Sequence, residues 1–205
     1  MTRRALAGVV IAIAITAACI PPRPSPTTPA ATPAPSPTPA AASPTDVLSP
    51  GAAVAVDPAL LELLPDAVAG APLEPDEATA AEIAREPSIA PFVSALAIAA
   101  AFRPQRTDTV GDYVVVTVAR VKPGLFGDLF YRGWRDTFDA AVCEQAGGVA
   151  GHAEAEIAGR QTFIGTCAGG VHTYHVHLPD QDVIVSMQAV GDGRFGERVV
   201  EGLTG

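Results

Sequence analysis

The stretch AEAEIAGRQTFIGTCAGGVHTYHVHLPDQDVIVSMQAV, residues 153–190, decides the fold. It divides into four short segments rich in β-branched and aromatic residues: Ala153–Ala158, Gln161–Cys167, Val171–Leu178 and Asp182–Val190. Ala158-Gly159, Gly169-Gly170 and Pro179-Asp180 separate them, and all three pairs are turn formers. Strands joined by such short connections pair with their sequence neighbours, so the pattern predicts an antiparallel meander.

Upstream, Asp112–Val121 alternates as a strand, with Val114, Val116 and Val118 on one side and Tyr113, Val115 and Thr117 on the other. Pro91–Phe102 carries two signals. Its alanine content favours helix, whereas Leu96, Ile98, Ala100 and Phe102 alternating with smaller alanines favour a strand with its bulky side inward. Turn chemistry over Arg103–Asp112 joins the two segments, so the reading is a strand paired with Asp112–Val121. Asp128–Ala146 is the strongest helix. Asp128 is its expected cap, Gly147-Gly148 its stop, and Phe130, Trp134, Phe138, Ala141 and Val142 form its apolar stripe. Further helices are predicted at Pro58–Leu64 with Asp57 as N-cap, at Asp76–Glu86, and at Phe195–Leu203 with Val199, Val200 and Leu203 inward. The sum is an α+β fold for residues 51–205: a twisted, mainly antiparallel sheet of about six strands with its helices on one face.

The first 50 residues read differently. Arg3 and Arg4 precede an apolar run from Ala5 to Ala18, and Cys19 follows Thr16-Ala17-Ala18 directly. A basic start, an apolar centre and small residues before a cut site are the parts of an export signal. With the cysteine, the segment resembles the lipobox of a bacterial lipoprotein, although Thr16 stands where leucine is usual. The resemblance is confined to the N-terminus. It implies cleavage after Ala18, lipid on Cys19, and an extracytoplasmic, membrane-anchored protein. Plain secretion and an uncleaved anchor are the alternatives, the latter disfavoured because a bilayer span needs about 20 residues. From Pro21 to Pro50 there are 11 prolines among Ala, Thr and Ser. Such a segment has too few large apolar side chains to form a core and reads as a tether over residues 19–50.

Formal net charge is −9, and removing residues 1–18 takes away Arg3 and Arg4 but no acid, giving −11. Lys122 is the single lysine. The basic patch that phosphate backbones require is missing, which argues against a nucleic-acid partner. With Cys19 lipidated, Cys143 and Cys167 form an even pair in an exported domain, which reads as a disulfide. Helical phase sets Cys143 about half a turn from Trp134. The bridge therefore requires the helix to end before Cys143, or the strand end at Cys167 to wrap around the helix terminus.

Four constellations have chemical potential. His175 and His177 are two apart on a strand, share a face, and are the candidate metal ligands, for zinc or copper. A third ligand would come from His152, Glu154, Glu156 or Asp182; the plainer reading is an outer strand face that carries histidines. Gly191-Asp-Gly193-Arg-Phe-Gly196 matches a dinucleotide fingerprint but lacks the βαβ unit, so it reads as a turn and helix start. Phe126, Phe130, Tyr131 and Trp134 with Arg132 and Arg135 suggest a ligand platform, Tyr131 and Arg135 being the expected exposed pair. Glu154 and Glu156 share a strand face, as acid/base carboxylates do. The chain contains neither G-x-x-x-x-G-K-[ST] nor G-x-S-x-G. These features favour a non-catalytic binding or adaptor domain for a protein, glycan or small ligand, with metal binding and an exported hydrolase as alternatives.

Overall fold

The computed structural model describes residues 53–104 and 111–205. The expected signal segment, Cys19 and the expected tether therefore lie outside the described residues. The chain divides into two units at residue 46, and all described residues belong to the second. Its strands are β1 Ala55–Val56, β2 Ala67–Val68, β3 Ala71–Pro72, β4 Glu74–Pro75, β5 Val93–Arg103, β6 Asp112–Val121, β7 Val149–Ile157, β8 Arg160–Cys167, β9 His172–Leu178 and β10 Val183–Val190. Its α-helices are α1 Glu77–Ile83, α2 Asp128–Glu144 and α3 Phe195–Gly202, and Pro58–Leu63 and Pro179–Gln181 are 3-10 turns.

The main sheet has eight strands rather than about six, in the order β1-β5-β6-β10-β9-β8-β7, with β4 also on β5. The two-residue strands β1 and β4 account for the difference. They lie end to end along the outer edge of β5, at Ala95–Leu96 and Ala99–Ala100. Every pairing in the sheet except β1–β5 is antiparallel. The alternating-alanine segment is a strand, and β5 pairs with β6 from Val93↔Val121 to Arg103↔Asp112.

Helices cover both faces of the sheet, not one. Along β10, Val183, Val185 and Met187 pack with Val199, Val200 and Leu203 at the C-terminal helix, whereas Ile184 packs with Tyr131 of α2. The physical reason lies in β5 and β6, whose two faces are both apolar and cannot both be covered from one side. Leu96 and Ile98 of β5 pack beneath Ala80 of α1. The opposite face, Ala95, Ala97, Ala99 and Ala101, is equally buried and is filled by Leu60 and Leu64. Small side chains on the strand leave room for large ones from the 3-10 turn.

Local caps follow the residue chemistry closely. Asp57 accepts a hydrogen bond from the Ala59 amide, and Asp76 from the amide and hydroxyl of Thr79. In α2 the cap is Gly127, which has no side chain to contribute; Asp128 is the first helical residue, where its charge favours the helix dipole. Gly147 and Gly148 stop the helix with φ of 86° and 90°, and the Gly148 amide donates to the Cys143 carbonyl.

Helix α2 is turned relative to the expected stripe. Its buried residues are Tyr131, Asp139 and Cys143, and Arg135 lies half-buried on the same i, i+4 line. Phe130, Trp134, Phe138 and Val142 flank this line half-buried, and Ala141 is exposed. The bulky aromatics rest beside the seam because a carboxylate and a disulfide occupy its centre. This phase removes the difficulty with Cys143: still helical, it faces the sheet and is bonded to Cys167, with the two Cα atoms 5.1 Å apart. The strand end also comes to the helix terminus, where the Ala168 and Gly169 amides donate to Gly148 and Ala146 carbonyls. The bridge joins residues 24 apart, a loop worth about 3 kcal/mol in the chain-entropy account. Urea unfolding with and without dithiothreitol should show a loss of about that size, and unchanged unfolding midpoints would refute it.

Candidate functional site

Three elements build the site: the seam of α2, the β7–β8 hairpin, and the middle of β9 and β10. Its centre is Asp139, which is 2 % exposed. Thr173 Oγ1 donates to Asp139 Oδ1. His175 Nε2 lies 2.9 Å from the same oxygen, and His152 Nε2 lies 3.0 Å from Oδ2. His175 Nδ1 is 2.9 Å from Ser186 Oγ, and Trp134 Nε1 donates to that oxygen at 2.9 Å.

Donor chemistry orders this chain. Asp139 as a carboxylate can only accept and the Trp134 indole N–H can only donate, so with a neutral ring His175 Nδ1 accepts the proton of Ser186 Oγ, which itself accepts from Trp134. The pattern places the ring proton on Nε2, which donates to Asp139. Every polar atom along the line then has a partner, as burial demands. Gly165 makes room for it: a Cβ there would lie 2.7 Å from Asp139 Oδ2. Burial alone would raise the Asp139 pKa, but the donors His175 and Thr173 and the imidazole of His152 lower it below its ordinary 3.8.

His175 and His177 do leave the same sheet face, but that face is covered by α2 and is not an outer surface. His175 is 1 % exposed, and both its ring nitrogens are engaged. His177 stacks on Phe126, ring centres 3.4 Å apart and planes 9° apart. Its Nε2 and the Tyr131 hydroxyl are buried without hydrogen-bond partners among the described residues. No group of three or more His, Cys, Asp or Glu side chains among the described residues is disposed to hold a metal ion.

Beside Asp139 opens a cleft of about 390 Å³ between α2 and β7–β8, lined by Arg132, Arg135, Asp136, His152, Glu154 and Phe163 among others. The Arg135 guanidinium lies 3.6 Å above the Phe163 ring and 5.0 Å from that of Tyr131. The expected exposure of the Tyr131–Arg135 pair is thus reversed for Tyr131, which is buried, and partly for Arg135, which is half-buried. Glu154 and Glu156 stand on an exposed strand, Glu154 accepting a 3.4 Å bond from Gln161.

The glycine-rich segment 191–196 is a structural turn. Asp112 accepts from the Gly193 amide at 2.7 Å and from Arg103 at 2.6 Å. Gly196 is packed so tightly on Tyr174 that any Cβ would overlap the ring. Sequence reasoning passed over Asp139, yet a signal was present. If Cys143 must face the sheet to reach Cys167, the residue one turn earlier faces it too.

The chain matches no family model, and no curated protein or solved structure shows significant similarity to it.

Two outcomes are expected. His175→Gln breaks both ends of a buried chain and should destabilise by about 2–3 kcal/mol; a loss under about 0.5 kcal/mol in urea unfolding, typical of a surface site, would refute the burial. For His177, burial lowers the pKa below its ordinary 6.5, and Asp182 offsets this only in part. The folded state thus disfavours its proton, so stability should fall as pH drops below 6.5. His177→Phe keeps an aromatic partner for Phe126 and should flatten that part of the stability–pH curve; an unchanged slope refutes the assignment.

Proposed function

We propose that this is an exported domain held to a membrane by lipid on Cys19, spaced from it by residues 19–50. In this reading it binds a small ligand in the α2–β7–β8 cleft without transforming it. The observation that carries the binding reading is the cleft itself. Arg132 and Arg135 line it and take part in no ion pair among the described residues, while His152 is held in place by a buried carboxylate. Convergent polar groups in a cleft are what orient a bound ligand and make its recognition specific.

Two features favour binding over hydrolysis. The Ser186–His175–Asp139 line resembles a nucleophilic triad in composition only. Ser186 is fully buried and its hydroxyl is taken by Trp134 and His175, whereas a nucleophile must reach its substrate. The cleft lining includes no Ser, Thr, Cys or Lys.

The anchor reading rests on the N-terminal signal, and no helix among the described residues is long and apolar enough to cross a membrane. Cys19→Ala should move the protein from the membrane fraction to the soluble exported fraction or leave the signal uncut. Mass spectrometry that finds an unmodified Cys19 on the exported protein refutes the anchor. For binding, saturation calorimetry on the detergent-solubilised full chain should lose its signal in Arg135→Ala; binding that survives there moves the seat elsewhere.

A further inference from the structure

We infer that the cleft takes a small carboxylate that also carries hydroxyl or ammonium donors next to the acid group. This deepens the binding reading above and rests on it. The helix wall supplies the carboxylate half. Arg132 and Arg135 are three apart on α2 and therefore neighbours on its surface, and neither has an acid partner among the described residues. Two neighbouring cations on one wall, neither in an ion pair, are a place for an anionic group. Arg135 is also held in place: its guanidinium lies over the Phe163 ring, with the Tyr131 ring beside it at a near-right angle to that of Phe163. Its Nε is buried without a partner. A guanidinium held against an aromatic ring, with an in-plane N–H still unsatisfied, suits the planar, two-oxygen geometry of a carboxylate.

The strand wall supplies the other half. His152 is tied through Nε2 to Asp139. With the proton on that nitrogen and the ring neutral, Nδ1 is left as an acceptor on a side chain that lines the cleft. Glu154 on the same strand and Asp136 on the helix add carboxylate acceptors, and neither forms a salt bridge among the described residues. A simple anion would satisfy the arginines and be repelled by these acids. A neutral sugar would satisfy the acids and leave the arginines unpaired. A molecule with a carboxylate at one end and donors at the other meets both walls, and acidic sugars and amino acids share that chemistry. The cleft, of about 390 Å³, has room for either kind of molecule.

The test is calorimetry on the detergent-solubilised full chain with four probes: glucuronate, L-serine, acetate and glucose. Glucuronate or serine should bind at least tenfold more tightly than acetate and glucose, and whichever binds identifies an acidic sugar or an amino acid as the source. Arg132→Gln, at an exposed position, and Arg135→Ala should each weaken that probe tenfold or more. Glucose or acetate binding as tightly as the best donor-bearing carboxylate, and lost in Glu154→Gln or Arg132→Gln, overturns the ligand class but leaves the cleft as the seat. A carboxylate bound equally well by both arginine variants, or no probe bound at all, overturns the ligand class and the cleft reading together.

Discussion

The structure turns on one buried carboxylate. Asp139 is the point at which α2, β7 and β9 are held to one another, because its two oxygens take donors from Thr173, His175 and His152. A charge inside a protein is tolerated only when fully partnered, and the loss of one partner leaves the rest costly. The geometry around it is therefore narrow. Gly165 must lack a side chain, the helix must present residues 131, 135, 139 and 143 to the sheet, and Trp134 must close the far end of the chain on Ser186. The disulfide one turn further along α2 holds the same phase by a covalent constraint. Two unlike interactions thus agree on the orientation of a single helix, as expected where a sequence specifies one structure.

That agreement accounts for the cleft. Arg132 and Arg135 reach it because α2 is turned to place Asp139 inward; a helix seated on its aromatic stripe would point them elsewhere. His152 reaches it because β7 runs past the other side of the same carboxylate. Packing and site are hence not separate parts of the molecule. One residue that satisfies the core also aims three side chains at the opening.

The long strands were readable from alternation and turn pairs, including the alanine-rich β5, where bulk rather than polarity alternates. The two-residue strands β1 and β4 were not, since two residues carry no period. The second layer of helices escaped for a related reason: when both faces of a strand are apolar, the pattern says it is buried but not by what. In α2 the large aromatics dominated the reading, and the seam they flank holds residues of the wrong polarity to be noticed. His175 drew attention for its chemistry, but its partners are Asp139 and Ser186, remote in sequence and unremarkable by type. Arg132, Arg135, His152 and Glu154 were each visible singly. Only the fold brings a helix and a hairpin together around them.

The two borders of the sheet differ. At β5 the backbone is shielded by β1 and β4, but the sheet ends at β7, with no described strand on its far side. Most of β7 is exposed, and an open border of this kind is a template for edge-to-edge pairing between copies. Here Glu154 and Glu156 mark that border with like charges, so two copies meeting edge to edge bring acids against acids. If the chain is held in a membrane plane as proposed, where copies would meet often, this repulsion favours dispersal over the growth of continuous intermolecular sheets.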